Sequence, residues 1–187
     1  MKIVNQRELG NLLNECPNSV NSACELAYAE SQSRRERNSQ LILEAFLEKY
    51  RDKLSDVEKA KVYTNLAFYY SDEENIKEYN YLSAAVKLKS PYIETYRGLA
   101  LYHFSAYREK GSVEELKKSL HTFEKGTTVS DDYEMNFGYA VCLFELKEYE
   151  KAKTTFEELL KDYPNRMRLL HSLLLIVMCI WAIKIKR

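Results

Sequence analysis

The sequence predicts an all-α fold of antiparallel helix hairpins stacked side by side, on three observations. Only 5 Gly and 3 Pro occur in 187 residues. An all-β sandwich or barrel needs far more turn-formers. Helix-start signals recur along the whole chain, and no segment sustains period-two alternation. Finally, a large apolar residue followed by a small one recurs at Leu26-Ala27, Leu66-Ala67, Leu99-Ala100 and Tyr139-Ala140, with the alanines 40, 33 and 40 apart. An interval of 33 to 34 is that of a helix–turn–helix repeat. The longer interval adds seven residues, about two helical turns. Such an insertion lengthens both helices of a hairpin without rotating the packed stripe. The stretch Ser105–Gly111 fits it.

The starts come in order. Ser22-Ala23-Cys24-Glu25, Ser55-Asp56-Val57-Glu58, Asn75-Ile76-Lys77-Glu78, Ser112-Val113-Glu114-Glu115 and Asp131-Asp132-Tyr133-Glu134 each read as a capping box. A short polar side chain accepts from an orphan N–H, and a carboxylate three residues on reaches back. Ser90-Pro91 is a further start, with proline in the first turn where its missing donor costs nothing. Apolar residues then fall at helical spacing: Tyr63, Leu66, Ala67, Tyr70; Tyr96, Leu99, Ala100, His103; and Tyr139, Ala140, Leu143, Phe144. Helices are expected over 3–15, 19–36, 39–54, 56–71, 75–89, 91–109, 112–127, 131–146, 148–162 and 165–186.

Composition narrows the function classes. Lys plus Arg equals Asp plus Glu at 28 each, so the basic excess of a broad nucleic-acid footprint is lacking. The start has no apolar core of signal-peptide length, which points to the cytoplasm. Cys16, Cys24, Cys142 and Cys179 make no CxxC pair and read as reduced thiols used as small apolar side chains. A Cys16–Cys24 bridge is compatible with their spacing but has no other support. His103, His121 and His171 have neither HExxH spacing nor a Cys/His cluster. His103 and His121 fall on the two helices of one hairpin, as a packed or surface pair. No phosphate loop, GxSxG or SxxK is present, and carboxylate pairs such as Asp131-Asp132 sit at helix starts as caps. No metal, cofactor or catalytic residue is expected, and the chain does not read as an enzyme. Arg34-Arg35-Glu36-Arg37 reads as a solvated helix end.

The unit Asp132–Pro164 resembles a tetratricopeptide repeat. Tyr139-Ala140 and Leu143 occupy the family's large–small–large positions of the first helix. Lys147-Glu148-Tyr149-Glu150-Lys151-Ala152 is similar to its inter-helix turn, Phe156 takes the aromatic place, and Pro164 closes the unit. The unit from Ala60 to Pro91 matches through Tyr63, Leu66, Ala67 and Tyr70 but departs at Tyr79 and Ser83. The next matches through Tyr96, Leu99, Ala100 and Phe123. The organisation expected is a degenerate helical repeat or cap over 1–59, three repeats over 60–164, and an apolar helix over 165–187.

The resemblance implies a right-handed superhelix and a non-catalytic adaptor that binds a protein or peptide in a concave groove. The groove-facing residues it implies are Lys61, Asn65 and Phe68, then Arg97, Leu101 and Phe104, then Phe137, Val141 and Phe144. Gly98 and Gly138 either admit a ligand or ease packing. The Lys/Asn/Arg clamp that holds acidic chaperone tails is absent, its places carrying Thr64, Phe68, Gly98, Glu134 and Gly138. A peptide-sensing regulator is an alternative; no DNA-binding helix–turn–helix is evident near the N-terminus.

The C-terminal stretch remains open. Leu173–Ile183 is an uninterrupted apolar run of eleven, flanked by Arg166 and Arg168 before and Lys184, Lys186 and Arg187 after. A spanning helix wants about 20 apolar residues. Residues 169–185 form a short membrane anchor for an assembly factor, or a helix buried in a homodimer or partner, or a helix packed back on the array.

Overall fold

A computed structural model of the chain describes residues 18–70 and 75–166. Among these, every regular element is helical. The helices expected over 3–15 and 165–186 fall outside them, apart from a 3₁₀ turn at Pro164–Arg166. The chain divides between Thr95 and Tyr96 into two compact units.

The first unit holds α1 (Val20–Gln32), α2 (Glu36–Tyr50), α3 (Asp56–Tyr70) and α4 (Asn75–Lys87). Ser19 caps α1, its Oγ accepting from the Ser22 N–H. The expected box at Ser22 is therefore displaced: Ser22 lies inside the helix. Arg34 sits at φ 56°, ending α1 in a left-handed turn. Glu30 is buried there, accepting from Arg35 at 2.7 Å and from Asn38 at 2.6 Å. The basic run thus spans the α1–α2 turn, with Arg34 and Arg35, and the first turn of α2, with Glu36 and Arg37. α2 packs on α1 through Ser39, whose hydroxyl donates to the Ala27 carbonyl. Gln40 Nε2 donates to the Tyr69 carbonyl at the end of α3. Ser55 and Glu58 form the full capping box at the start of α3. The core comprises Ala23, Ala27, Ile42, Leu43, Phe46, Val62, Leu66 and Tyr70.

The second unit is carried by α5 (Ile93–Lys110), which crosses the division, and by α6 (Val113–Thr127), α7 (Tyr133–Glu145) and α8 (Tyr149–Asp162). α5 runs ten residues past Ala100, whereas α7 runs five past Ala140. α6 begins ten residues before Phe123, and α8 seven before Phe156. The insertion therefore lengthens both helices by about a turn at the loop end. Ser119 Oγ donates to the Ala100 carbonyl at 2.8 Å, binding α6 to α5. Ala140 and Ala152 are fully buried where α7 meets α8, with Leu143, Phe156 and Leu159 filling the seam. Each such large side chain removed from water contributes roughly 1.5–3 kcal/mol.

A shared turn ends α1, α4 and α7. The N–H of Arg35, Ser90 and Glu148 reaches back to the carbonyl of Glu30, Ala85 and Leu143 respectively. The residue before each, Arg34, Lys89 or Lys147, has positive φ. This is a Schellman turn, which satisfies helix-end carbonyls and reverses the chain. Glycine usually holds that place; here long cationic side chains do.

Candidate functional site

The second unit contains a cavity of about 280 Å³ lined by Arg97, Leu101, Phe104, Phe123, Glu134, Phe137, Gly138 and Val141. Its walls are two first helices. Arg97, Leu101 and Phe104 lie along one face of α5, at the three- and four-residue spacing that keeps side chains on one side. Glu134, Phe137, Gly138 and Val141 repeat that spacing on α7. Phe123 of α6 forms the floor. Of the groove residues expected from the sequence, Arg97, Leu101, Phe104, Phe137 and Val141 meet here.

The remaining expected residues lie elsewhere. Phe144 sits at the end of α7, edge-on to the Tyr149 ring with centroids 5.6 Å apart, and does not line the cavity. Lys61, Asn65 and Phe68 belong to the first unit. Lys61 Nζ donates to Asn21 Oδ1 at 2.7 Å, and Asn65 Nδ2 donates to the Lys61 carbonyl. Phe68 is 72% exposed, with its ring edge-on to Tyr69.

The cavity has one charged end. Arg97 donates from Nη2 to Asp132 Oδ1 at 3.1 Å and lies 3.0 Å from Glu134 Oε2 through Nη1. One guanidinium thus serves two carboxylates, leaving that end net negative. Asp131, Asp132 and Asp162 also surround Tyr163, whose phenol is pushed up by burial and then by those charges. Asp132 additionally caps α7, accepting from the Met135 N–H. The cap is one residue later than the sequence suggests, and Glu134 turns to Arg97 instead of back to the helix start. The other end is apolar: Leu101 is 50% exposed beside Phe104 and Val141.

Gly138 makes this geometry. A Cβ at 138 would run into the Phe123 ring, coming 2.9 Å from Cδ1 and closer to Cε1 and Cζ. The missing side chain admits the floor of the cavity, the packing alternative of the two expected for this glycine. The sequence reads Phe123 as core, and Glu134 both as a cap and as the occupant of a place in the absent clamp.

The histidines are placed apart in role. His103, buried on α5, lies with Nδ1 2.6 Å from Glu115 Oε2. His121 faces solvent beside Glu124 at 3.5 Å. Glu115 is held below the usual carboxylate range by hydrogen bonds from Lys118 and then His103. It therefore does not complete the expected capping box, although Ser112 Oγ still accepts from its N–H. Cys24 and Cys142 are free thiols. Burial pushes the Cys142 thiol up to about 11. Among the described residues, no group of three or more His, Cys, Asp or Glu is placed to hold a metal ion.

A second hollow, in the first unit, is open and polar, with Glu44, Glu48, Arg51, Asp52 and Tyr81 on its walls. Burial and Glu44 push the Tyr81 phenol up to about 12. Among the described residues no helix is long and apolar enough to cross a membrane. The stretch 169–185, on which the anchor and homodimer expectations rest, lies outside them, as do Cys16, Cys179 and His171.

Residues 135–166 match the sequence model of the tetratricopeptide repeat. No curated protein matches the chain significantly. Among solved structures it is similar to YrrB, described as a tetratricopeptide-repeat protein with an unusual peptide-binding site: TM-score 0.64, 14% identity, 84% of this chain and 76% of that one. It is also similar to MamA, with TM-score 0.64, 18% identity, 86% of this chain and 87% of that one. A second MamA structure gives TM-score 0.61 at 18% identity, covering 83% and 79%. At these identities the likeness establishes the fold, stacked helical hairpins.

Proposed function

We propose that this chain, a tetratricopeptide-repeat protein, is a non-catalytic adaptor that holds a protein or peptide segment in the trough between α5 and α7. The observation that carries this reading is a half-exposed leucine in an apolar cavity. Leu101 stands beside Phe104, Phe137 and Val141, on surface that water solvates poorly and a partner would cover. The volume, about 280 Å³, lies near the low end of the ~300–1,000 Å³ typical of small-molecule sites. It suits apolar side chains inserted from a peptide better than a whole cofactor. Lys61, Asn65 and Phe68 would be a contact surface of the first unit by itself, and Phe144 an apolar rim of the second. YrrB, with its peptide-binding site, offers a parallel at the level of fold.

The test is Leu101→Glu combined with Val141→Glu. Both side chains are at least partly exposed, so the helices should survive, as far-UV circular dichroism will show. Affinity capture from the native cell with full-length chain should lose specific partners in the variant. An unchanged set of captured proteins, with the fold retained, contradicts the groove.

A further inference from the structure

We propose that the trough between α5 and α7 selects partner segments in which a Lys or Arg flanks a short apolar stretch. The cation meets Glu134, and the apolar side chains meet Leu101, Phe104 and Val141. This deepens the adaptor reading and rests on it, since it names the chemistry of the groove's ligand. Three observations support it.

The first is an unbalanced charge. Arg97 donates from Nη2 to Asp132 at 3.1 Å, and its Nη1 lies 3.0 Å from Glu134 Oε2, so one cation faces two carboxylates. Glu134 is the most exposed of the three, its side chain 54% accessible against 28% for Arg97 and for Asp132. The surplus negative charge therefore stands where a ligand meets it. No cation on the α7 wall offsets it: from Gly126 to Leu146 the sequence holds no Lys, Arg or His. Asp131 adds a further carboxylate, bonded to the neutral Asn136 amide at 2.9 Å. At the far end of α7, by contrast, Glu145 accepts from the Tyr107 hydroxyl and lies 3.9 Å from Arg108.

The second is that the trough offers no grip to an anion. Among the described residues that line it, Arg97 is the one basic side chain. A carboxylate grips arginine best through two parallel N–H bonds. With Nε of Arg97 buried, the side-on pair of nitrogens is closed to a ligand, and each nitrogen of the end-on pair already carries a carboxylate. An acidic segment would meet Glu134 first and be repelled, which is discrimination by like charge.

The third is size. From Glu134 to Val141 the trough measures about 10 Å along α7. An extended peptide crosses that distance in about three residues, and a helical one in about two turns. The cation and its apolar neighbours therefore belong to one short segment and seat together. Leu101, 50% exposed beside Phe104 and Val141, receives the apolar part. Burial of that part supplies affinity, and the charge at Glu134 supplies selectivity and a dependence on salt.

Selection of short randomised peptides displayed on phage, with the purified full-length chain as bait, tests this. Enriched peptides should carry Lys or Arg beside apolar residues, with Asp and Glu depleted. Resynthesised with an uncharged fluorophore and measured by anisotropy, they should bind Glu134→Gln about twofold or more weaker than wild type, and Glu134→Lys about fivefold or more weaker. Added NaCl should weaken binding to wild type but not to Glu134→Lys. Glu158→Lys makes the same change in net charge at an exposed position of α8 outside the cavity and should leave affinity unchanged. Far-UV circular dichroism checks the fold of each variant, and Glu134→Gln, equal in size to the native side chain, carries the test if the reversal unfolds. Enrichment of acidic or uncharged peptides that is lost in Leu101→Glu with Val141→Glu overturns the inference and keeps the adaptor. Equal affinity of basic peptides for wild type and Glu134→Lys does the same. No enrichment, or enrichment indifferent to the Leu101 and Val141 changes, also overturns it, and the capture experiment then decides the adaptor reading separately. Self-association of the purified chain that those two changes abolish would assign the trough to a second copy and overturn it as well.

Discussion

Adding one methyl group at Gly138 should destabilise the second unit, and shrinking Phe123 should reverse the loss. In the native packing the position-138 Cβ has no room, because the Phe123 ring fills it and is itself only 3% exposed. Gly138→Ala therefore forces the ring off its seat, an overpacking cost of about 1–3 kcal/mol. Replacing glycine inside a helix returns about 1 kcal/mol. The single variant should lose up to about 2 kcal/mol net. Phe123→Leu alone leaves a void and costs roughly 1–2 kcal/mol. In the double variant the methyl enters space the ring has vacated, so the two losses should not add. A coupling of about 1 kcal/mol or more in favour of the pair is expected. Urea unfolding followed by far-UV circular dichroism measures all four corners of the cycle. Additivity within about 0.5 kcal/mol, or a Gly138→Ala variant more stable than wild type, would refute the close approach on which the cavity floor depends.

Three other outcomes are expected. Lys147 holds a left-handed turn at φ 67°, so Lys147→Gly should raise stability by about 0.5–1 kcal/mol, while Gly111→Ala, at φ 68°, should lower it by a similar amount in the same unfolding assay. Glu115, held below the ordinary carboxylate range by Lys118 and then His103, contributes stability that is present above its unfolded pKa and lost as pH falls through its folded one. Melting temperatures measured from about pH 5 down to about pH 3 should therefore fall more steeply for wild type than for Glu115→Gln, the two curves converging in acid. Cys142, pushed up to about 11 by burial, should resist thiol alkylation at neutral pH in the folded protein and react once urea unfolds it, as peptide mass spectrometry will show; rapid native labelling would contradict its burial.

Local signals carried most of the fold. Small residues such as Ala67, Ala100, Ala140 and Ala152 mark helix contacts in the sequence, and all four are buried. The full capping box at Ser55 and Glu58 is likewise a three-residue pattern that involves no distant partner. The same pattern misplaced the starts at Ser22 and Asp131 and left the box at Ser112 incomplete. Asp131 and Asp132 are chemically equivalent candidates, and the choice falls to Asp132, whose carboxylate also meets Arg97 thirty-five residues away. Glu115 is drawn from its box by His103 and Lys118. Helical register brought five of the nine expected groove residues to one cavity, because spacing along α5 and α7 fixes which side chains share a face. Register alone could not supply Phe123, which reaches the cavity only because Gly138 opposite lacks a side chain. Nor could it supply the acidic end, which depends on one arginine serving two carboxylates from the next hairpin. Phe144 shows the converse: it keeps the spacing but sits in the last turn of α7, where the bend into α8 brings Tyr149 against it.

The central claim is that the trough between α5 and α7 is where this chain takes hold of polypeptide. Site-specific photocrosslinking tests it most directly, with a photoreactive phenylalanine analogue placed at position 101 and, separately, at exposed position 57. Irradiation of the full-length protein in its native cell should give adducts with another protein at 101, and none of comparable yield at 57. Adducts from 57 with position 101 left unreacted would contradict the account.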